Sequence, residues 1–86
     1  MKKNKTFYIT IYTREGCELC VKVKEKVQRA ARHYPITLEM VDIRTDEALL
    51  QEYGCLIPVV HIDGEKVFVS KMAERWLLRE LEIRSN

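Results

Sequence analysis

The stretch that decides the fold runs Phe7-Tyr8-Ile9-Thr10-Ile11-Tyr12-Thr13-Arg14-Glu15-Gly16-Cys17-Glu18-Leu19-Cys20. Residues 6–12 are β-branched and aromatic, with Phe7, Ile9 and Ile11 on one side and Tyr8 and Tyr12 on the other. Large side chains in both registers predict a strand covered on both faces. Thr13 to Gly16 is a polar break. From Cys17 to about His33 the period turns helical, with Leu19, Val23, Val27, Ala30 and Tyr34 recurring at spacings of three and four. Lys22, Lys24, Glu25, Lys26 and Arg29 lie mostly off that stripe and read as a solvated face. Pro35 ends the helix. Two cysteines, separated by two residues, therefore sit where a strand hands over to a helix.

Working outward, residues 36–43 return to an extended pattern through Ile36, Leu38 and Met40. Thr45 is placed to cap a short helix ending at Tyr53, with Asp46 and Glu47 in its first turn and Gly54 at its C′ position. Pro58 to Ile62 reads as a strand, Asp63-Gly64 as a type I′ hairpin turn, and Glu65 to Val69 as the return strand. Ser70 is placed to cap a last helix that carries Met72, Ala73, Trp76, Leu77 and Leu81, with Trp76 expected in the core. The order is β-α-β-α-β-β-α. Alternation in the first half implies parallel pairing, and the hairpin forces an antiparallel pair. The fold class is α/β, a mixed four-stranded sheet with helices on both faces.

The chain has 86 residues, which predicts one domain over 1–86. A chain of this length buries roughly 60–65% of its unfolded surface, so the core is small. Hydrophobic residues make up 47% and charged residues 33%, a globular balance. The formal charge of +2 is too even for a dedicated nucleic-acid binder. Three cysteines are too few, and odd in number, for a secreted disulfide scaffold. No apolar run is long enough to span a membrane. The basic start Met1-Lys2-Lys3-Asn4-Lys5 precedes an apolar segment too short for a signal peptide. These features predict a cytoplasmic protein, acting as a monomer, without nucleic-acid or membrane partners. In that reducing compartment a close cysteine pair is catalytic or metal-binding rather than structural.

A helix N-terminus presents unpaired N–H groups and a partial positive charge, which favour a thiolate. Cys17 would be the exposed nucleophile. Cys20, one turn in and facing the core, would resolve the mixed disulfide by attacking Cys17. The helix end contributes about 0.3–1 kcal/mol towards the thiolate. A Glu18 carboxylate roughly 6 Å away opposes it by about 0.7 kcal/mol in water-like dielectric. The two nearly cancel, and Arg14 adds a favourable charge. A structural zinc site would need four ligands, and beyond the pair only Cys55, His61 and His33 are present, scattered singly. Cys55 reads as a small, partly buried apolar residue, His61 as a structural histidine and Tyr12 as packing, with a part in lining the substrate groove left open.

Strand, Cys-x-x-Cys, helix, strand, helix, then Ile57-Pro58-Val59 opening an Asp-Gly hairpin and a final helix together resemble a small glutaredoxin of the thioredoxin superfamily. The resemblance covers about residues 6–83. Cys17-Glu18-Leu19-Cys20, with the approach Gly54-Cys55-Leu56-Ile57-Pro58-Val59, is most similar to a glutaredoxin-like branch. The resemblance implies a thiol–disulfide oxidoreductase with Cys17 and Cys20 as its redox couple and no metal or organic prosthetic group. It implies a cis Pro58 facing the reactive sulfur and an Ile57 backbone that pairs with substrate; Arg14 and Tyr12 complete the expected substrate-binding set. The substrate would be a protein or small-molecule disulfide, and the reductant glutathione or a thiol reductase. Glutathione-using members carry an aromatic residue inside the motif and a Gly-Gly-acid turn after the hairpin. This chain has Glu18-Leu19 and Phe68-Val69-Ser70-Lys71 there, so glutathione stays open as a co-substrate. Two rival readings are a non-catalytic binding module on the same scaffold and a thiolate metal-binding protein.

Overall fold

The computed structural model describes residues 5–85. In order, it contains β1 (Phe7–Thr13), α1 (Glu18–Ala30), β2 (Ile36–Asp42), a 3-10 turn (Ile43–Thr45), α2 (Glu47–Tyr53), β3 (Val59–Ile62), β4 (Glu65–Val69) and α3 (Glu74–Arg84). The strand order is β2-β1-β3-β4. β1 pairs parallel with β2, Phe7 opposite Ile36, and antiparallel with β3, Tyr12 opposite Val59. β3 and β4 form the hairpin. Its two turn residues, Asp63 at φ 51° and Gly64 at φ 86°, hold the positive angles that a type I′ turn needs.

The two-residue period of the strands sorts the core into two clusters. On one face Phe7, Ile9, Ile11, Val60 and Ile62 meet Val23, Val27 and Ala30 of α1 and Leu77 and Leu81 of α3, all buried. On the other, Tyr12, Val59 and Ile57 pack with Ile43, Leu49 and Tyr53 beneath α2. Helices therefore cover both faces, and the two on the first face are tied together. Lys26 Nζ donates to the Met72 carbonyl at 2.8 Å, and Arg29 pairs with Glu74 at 2.8 Å.

Several local expectations are corrected. The second face of β1 is covered only towards the Tyr12 end; Tyr8 is exposed and its hydroxyl meets Glu39. α1 stops at Ala30, and a turn carries the chain to Pro35. Thr45 belongs to the 3-10 turn, and Asp46 caps α2 by accepting from Ala48 N at 2.9 Å. Gly54 is right-handed (φ −52°), so its role is not that of a left-handed C′ residue; a Cβ there would lie 2.6 Å from the Leu50 carbonyl oxygen. Ala73, without a side-chain bond, stands at the N-cap of α3 in place of Ser70. Trp76 is 42% exposed and stacks on Phe68, and Leu19 is 55% exposed. Cys55 is exposed rather than partly buried.

Candidate dithiol site

β1 delivers the chain to a turn in which Cys17 N donates to the Arg14 carbonyl at 3.3 Å. Gly16, third in that turn, takes φ 86°, a left-handed angle that an L side chain resists. The turn leaves Cys17 as the N-cap of α1, where its sulfur accepts from Cys20 N at 3.1 Å. A residue type with no usual capping role thus takes the place that Ser, Thr or Asp normally fills. Cys17 and Cys20 are joined as a disulfide with Cα atoms 5.3 Å apart. Cys17 is half-buried, whereas Cys20 is only 1% exposed.

An ion cluster braces the turn from the side of β2. Arg44 holds both carboxylate oxygens of Asp42, at 3.1 and 2.7 Å, and reaches Glu15 at 3.4 Å. The Arg44 side chain and its backbone N–H hold the Asp42 carboxyl down at about 2. Cys17 and Cys20 line a cleft of about 440 Å³ with Arg14, Lys24, Met40 and this cluster. The bracing is not visible in the sequence, because it joins the Asp42–Arg44 stretch to Glu15 across 29 residues.

The loop that precedes β3 is held from the opposite side. The Ile57–Pro58 peptide bond is cis. Ser70 donates its hydroxyl to the Leu56 carbonyl at 3.0 Å and its N–H to the Pro58 carbonyl at 2.8 Å. It does so at φ 72°, a left-handed angle rare outside glycine. Ser70, which the sequence places as a helix cap, works instead as a strap across residues 56–58. Ile57 is half-buried and Pro58 is buried.

Not all of the expected site residues come together. Arg14 joins the two cysteines in one cleft. Tyr12 turns to the α2 face, where it meets Tyr53 with ring centroids 5.1 Å apart and His61 at 4.8 Å. Tyr53 Oη lies 3.2 Å from His61 Nε2. Burial, then the nearby Lys66 ammonium, lower the His61 pKa below its ordinary value. Tyr12 and His61 are thus packing residues of the second core. Among the described residues no group of three or more His, Cys, Asp and Glu could hold a metal, and no helix is long and apolar enough to cross a membrane.

The family model for the glutaredoxin-like domain (DUF836) matches residues 8–85. The chain belongs to the glutaredoxin-like family. The domain is also similar to solved structures. A structural-genomics target protein from X. campestris is 25% identical, with 87% of this chain and 96% of that one covered and a TM-score of 0.74. A mutant of a thioredoxin-like protein is 31% identical, with 96% and 99% covered and a TM-score of 0.61. A thioredoxin mutant from Halobacterium salinarum, 20% identical over 98% and 79%, has a TM-score of 0.66 and shows the shared thioredoxin-like fold. No match is found among curated proteins. A glutaredoxin-like domain with its two cysteines within disulfide distance has the architecture that thiol–disulfide exchange requires.

Proposed function

We propose that this glutaredoxin-like domain is a thiol–disulfide oxidoreductase working in the cytoplasm as a monomer. The observation that carries the reading is the inequality of the pair: Cys17 is only half-buried at a helix N-terminus, and Cys20 is buried one turn further in. In the reducing direction the Cys17 thiolate attacks one sulfur of a substrate disulfide. The other sulfur leaves as a thiolate and takes up a proton. Cys20 then loses its proton and attacks Cys17 Sγ, releasing the second substrate thiol and closing the Cys17–Cys20 disulfide. Two electrons have passed to the substrate. Two external thiols, from glutathione or from a thiol reductase, return them. Arg14 lines the same cleft as the two cysteines, and a cation there favours the thiolate. The backbone of Ile57, next to Pro58 in the strapped loop, is the edge on which an extended substrate would lie. No metal enters any step.

The test is a redox titration in glutathione buffers, with thiols trapped by alkylation and intact mass read at each potential. A Cys17–Cys20 disulfide forming between about −280 and −180 mV supports the reading. A glutathione adduct on Cys17 makes glutathione the co-substrate. Cys17→Ser abolishes turnover, and Cys20→Ser accumulates mixed disulfides. Thiols that remain reduced throughout would leave the binding-module reading in its place.

A further inference from the structure

A second groove, of about 220 Å³, runs along the flank of α1 that faces α3. Leu19, Met72 and Trp76 supply apolar surface, and Lys22, Lys26 and Lys71 stand around it. Leu19 and Trp76 are large apolar side chains left 55% and 42% exposed, at opposite walls of one depression. Among the described residues, no acidic one lines it. The nearest acid on α3, Glu74, is held by Arg29 at 2.8 Å, so it does not neutralise the lysines. Glu18, at the first position of α1, makes no ion pair among the described residues.

We propose that this groove docks an acidic, apolar segment of a protein disulfide substrate and presents that substrate's disulfide to Cys17. The inference rests on the oxidoreductase reading and names the substrate class for it. Leu19 lies between the two cysteines in sequence and also walls the groove, so a segment seated there runs along the first turn of α1, the turn that carries the reactive pair on its other flank. The apolar floor calls for an aliphatic or aromatic side chain, and three cations with no acid call for carboxylates. A protein segment offers both. Glutathione offers carboxylates but no apolar side chain to cover Leu19 and Trp76.

Trp76 is the single tryptophan of the chain and reports on the groove directly. The docking probe is a short peptide with two leucines and three glutamates in which serine replaces the reactive cysteine. Its titration is expected to change Trp76 fluorescence saturably, and a lysine-for-glutamate analogue is not. The exchange probes are the cysteine forms of both peptides as mixed disulfides with 2-mercaptoethanol, and bis(2-hydroxyethyl) disulfide as a neutral reference. Reduced protein is expected to react about tenfold faster with the acidic than with the basic peptide at low salt, the effect of two or three exposed charge pairs. The ratio shrinks in high salt. In Lys22→Glu/Lys71→Glu it falls to one or inverts; because it is a ratio, a change in Cys17 reactivity divides out.

A ratio near one in the wild type, or a ratio unchanged in the double variant, overturns the proposal. So does reduced glutathione shifting Trp76 fluorescence as strongly as the acidic peptide. If the neutral disulfide is reduced but the peptide does not dock, the groove inference fails and the oxidoreductase reading stands. If the peptide docks but no disulfide is reduced, the groove remains a docking surface and the oxidoreductase reading fails.

Discussion

Reduction of the Cys17–Cys20 disulfide should lower the stability of the fold, and the size of the effect follows from where the pair sits. The bond closes a loop with a sequence separation of only three. For so small a loop the chain-entropy relation gives about 2 kcal/mol of stabilisation by the crosslink. The reduced form recovers part of this. In the oxidised fold the Cys17 sulfur caps α1 beside Cys20 N; kept in that place after reduction, a thiolate at a helix N-terminus gains about 0.3–1 kcal/mol. The net advantage of the oxidised form is then about 1–1.5 kcal/mol. For a domain of this size each kcal/mol moves the midpoint by about 4–8 °C, so the oxidised form should melt roughly 5–10 °C higher. Through the same cycle, about 1.4 kcal/mol corresponds to a couple about 30 mV more reducing in the folded than in the unfolded chain. The measurement is a pair of thermal melts by circular dichroism at neutral pH, oxidised and fully reduced, in a Cys55→Ser background. That substitution removes the exposed third thiol, which would otherwise crosslink chains. A Cys17→Ala/Cys20→Ala control should show no dependence on reductant. A reduced form that melts at or above the oxidised form would refute the reasoning, because the thiolate's contacts would then outweigh the loop.

Three further outcomes are expected. Gly16→Ala meets no atom within 4 Å but must hold φ 86°; strain alone should cost about 1–2 kcal/mol, read as a shift of the urea midpoint, and an unchanged midpoint would contradict the turn geometry. Ser70→Ala keeps the left-handed angle and loses the hydroxyl bond to Leu56, at a cost of about 1 kcal/mol, and an unchanged urea midpoint would rule out the strap; Ser70→Gly loses the same bond but relieves the angle, so it should be the milder change, and the reverse order would contradict the left-handed angle. The His61 pKa is lowered in the fold, so the unfolded chain takes up a proton first as pH falls through about 6.5. Stability should be full above that pH and decline below it, and His61→Gln should flatten the decline. Equal slopes for the two proteins in urea melts between pH 7.5 and 5.5 would show that His61 is not responsible.

The elements that were legible in the sequence are those whose cause is local. The Asp63-Gly64 turn and the alternation of Phe7, Ile9 and Ile11 each depend on a few adjacent residues, and both appear in the fold. The burial of Cys20 beneath Cys17 also follows from helical spacing alone. What was not legible depends on contacts across the chain. Ser70 looks like a helix cap because serine caps helices, but the carbonyls of Leu56 and Pro58 reach it first. Arg44 gives no sign in sequence that it will join β2 to the turn before Cys17. Gly54 signals a left-handed helix end, yet the constraint on it is the close approach of the Leu50 carbonyl.

Leu19 and Trp76 show how such a misreading bears on function. Both fall at helical spacing with true core residues, so periodicity assigns them to the interior. At about 100° per residue, however, the buried arc of α1 is set by Cys20, Val23, Val27 and Ala30, and Leu19 lies at its edge. There, in the first turn of the helix, it faces the groove with Met72 and Trp76 instead of the sheet. Residues 17, 20, 21 and 24 line the cleft on one side of α1, and residues 19, 22, 23 and 26 line the groove on the other. The same spacing of three and four that builds the core thus also builds two flanks beside one reactive pair. An apolar residue at the edge of the buried arc, next to the nucleophile and exposed, is surface that folding left uncovered and that a substrate segment is placed to cover.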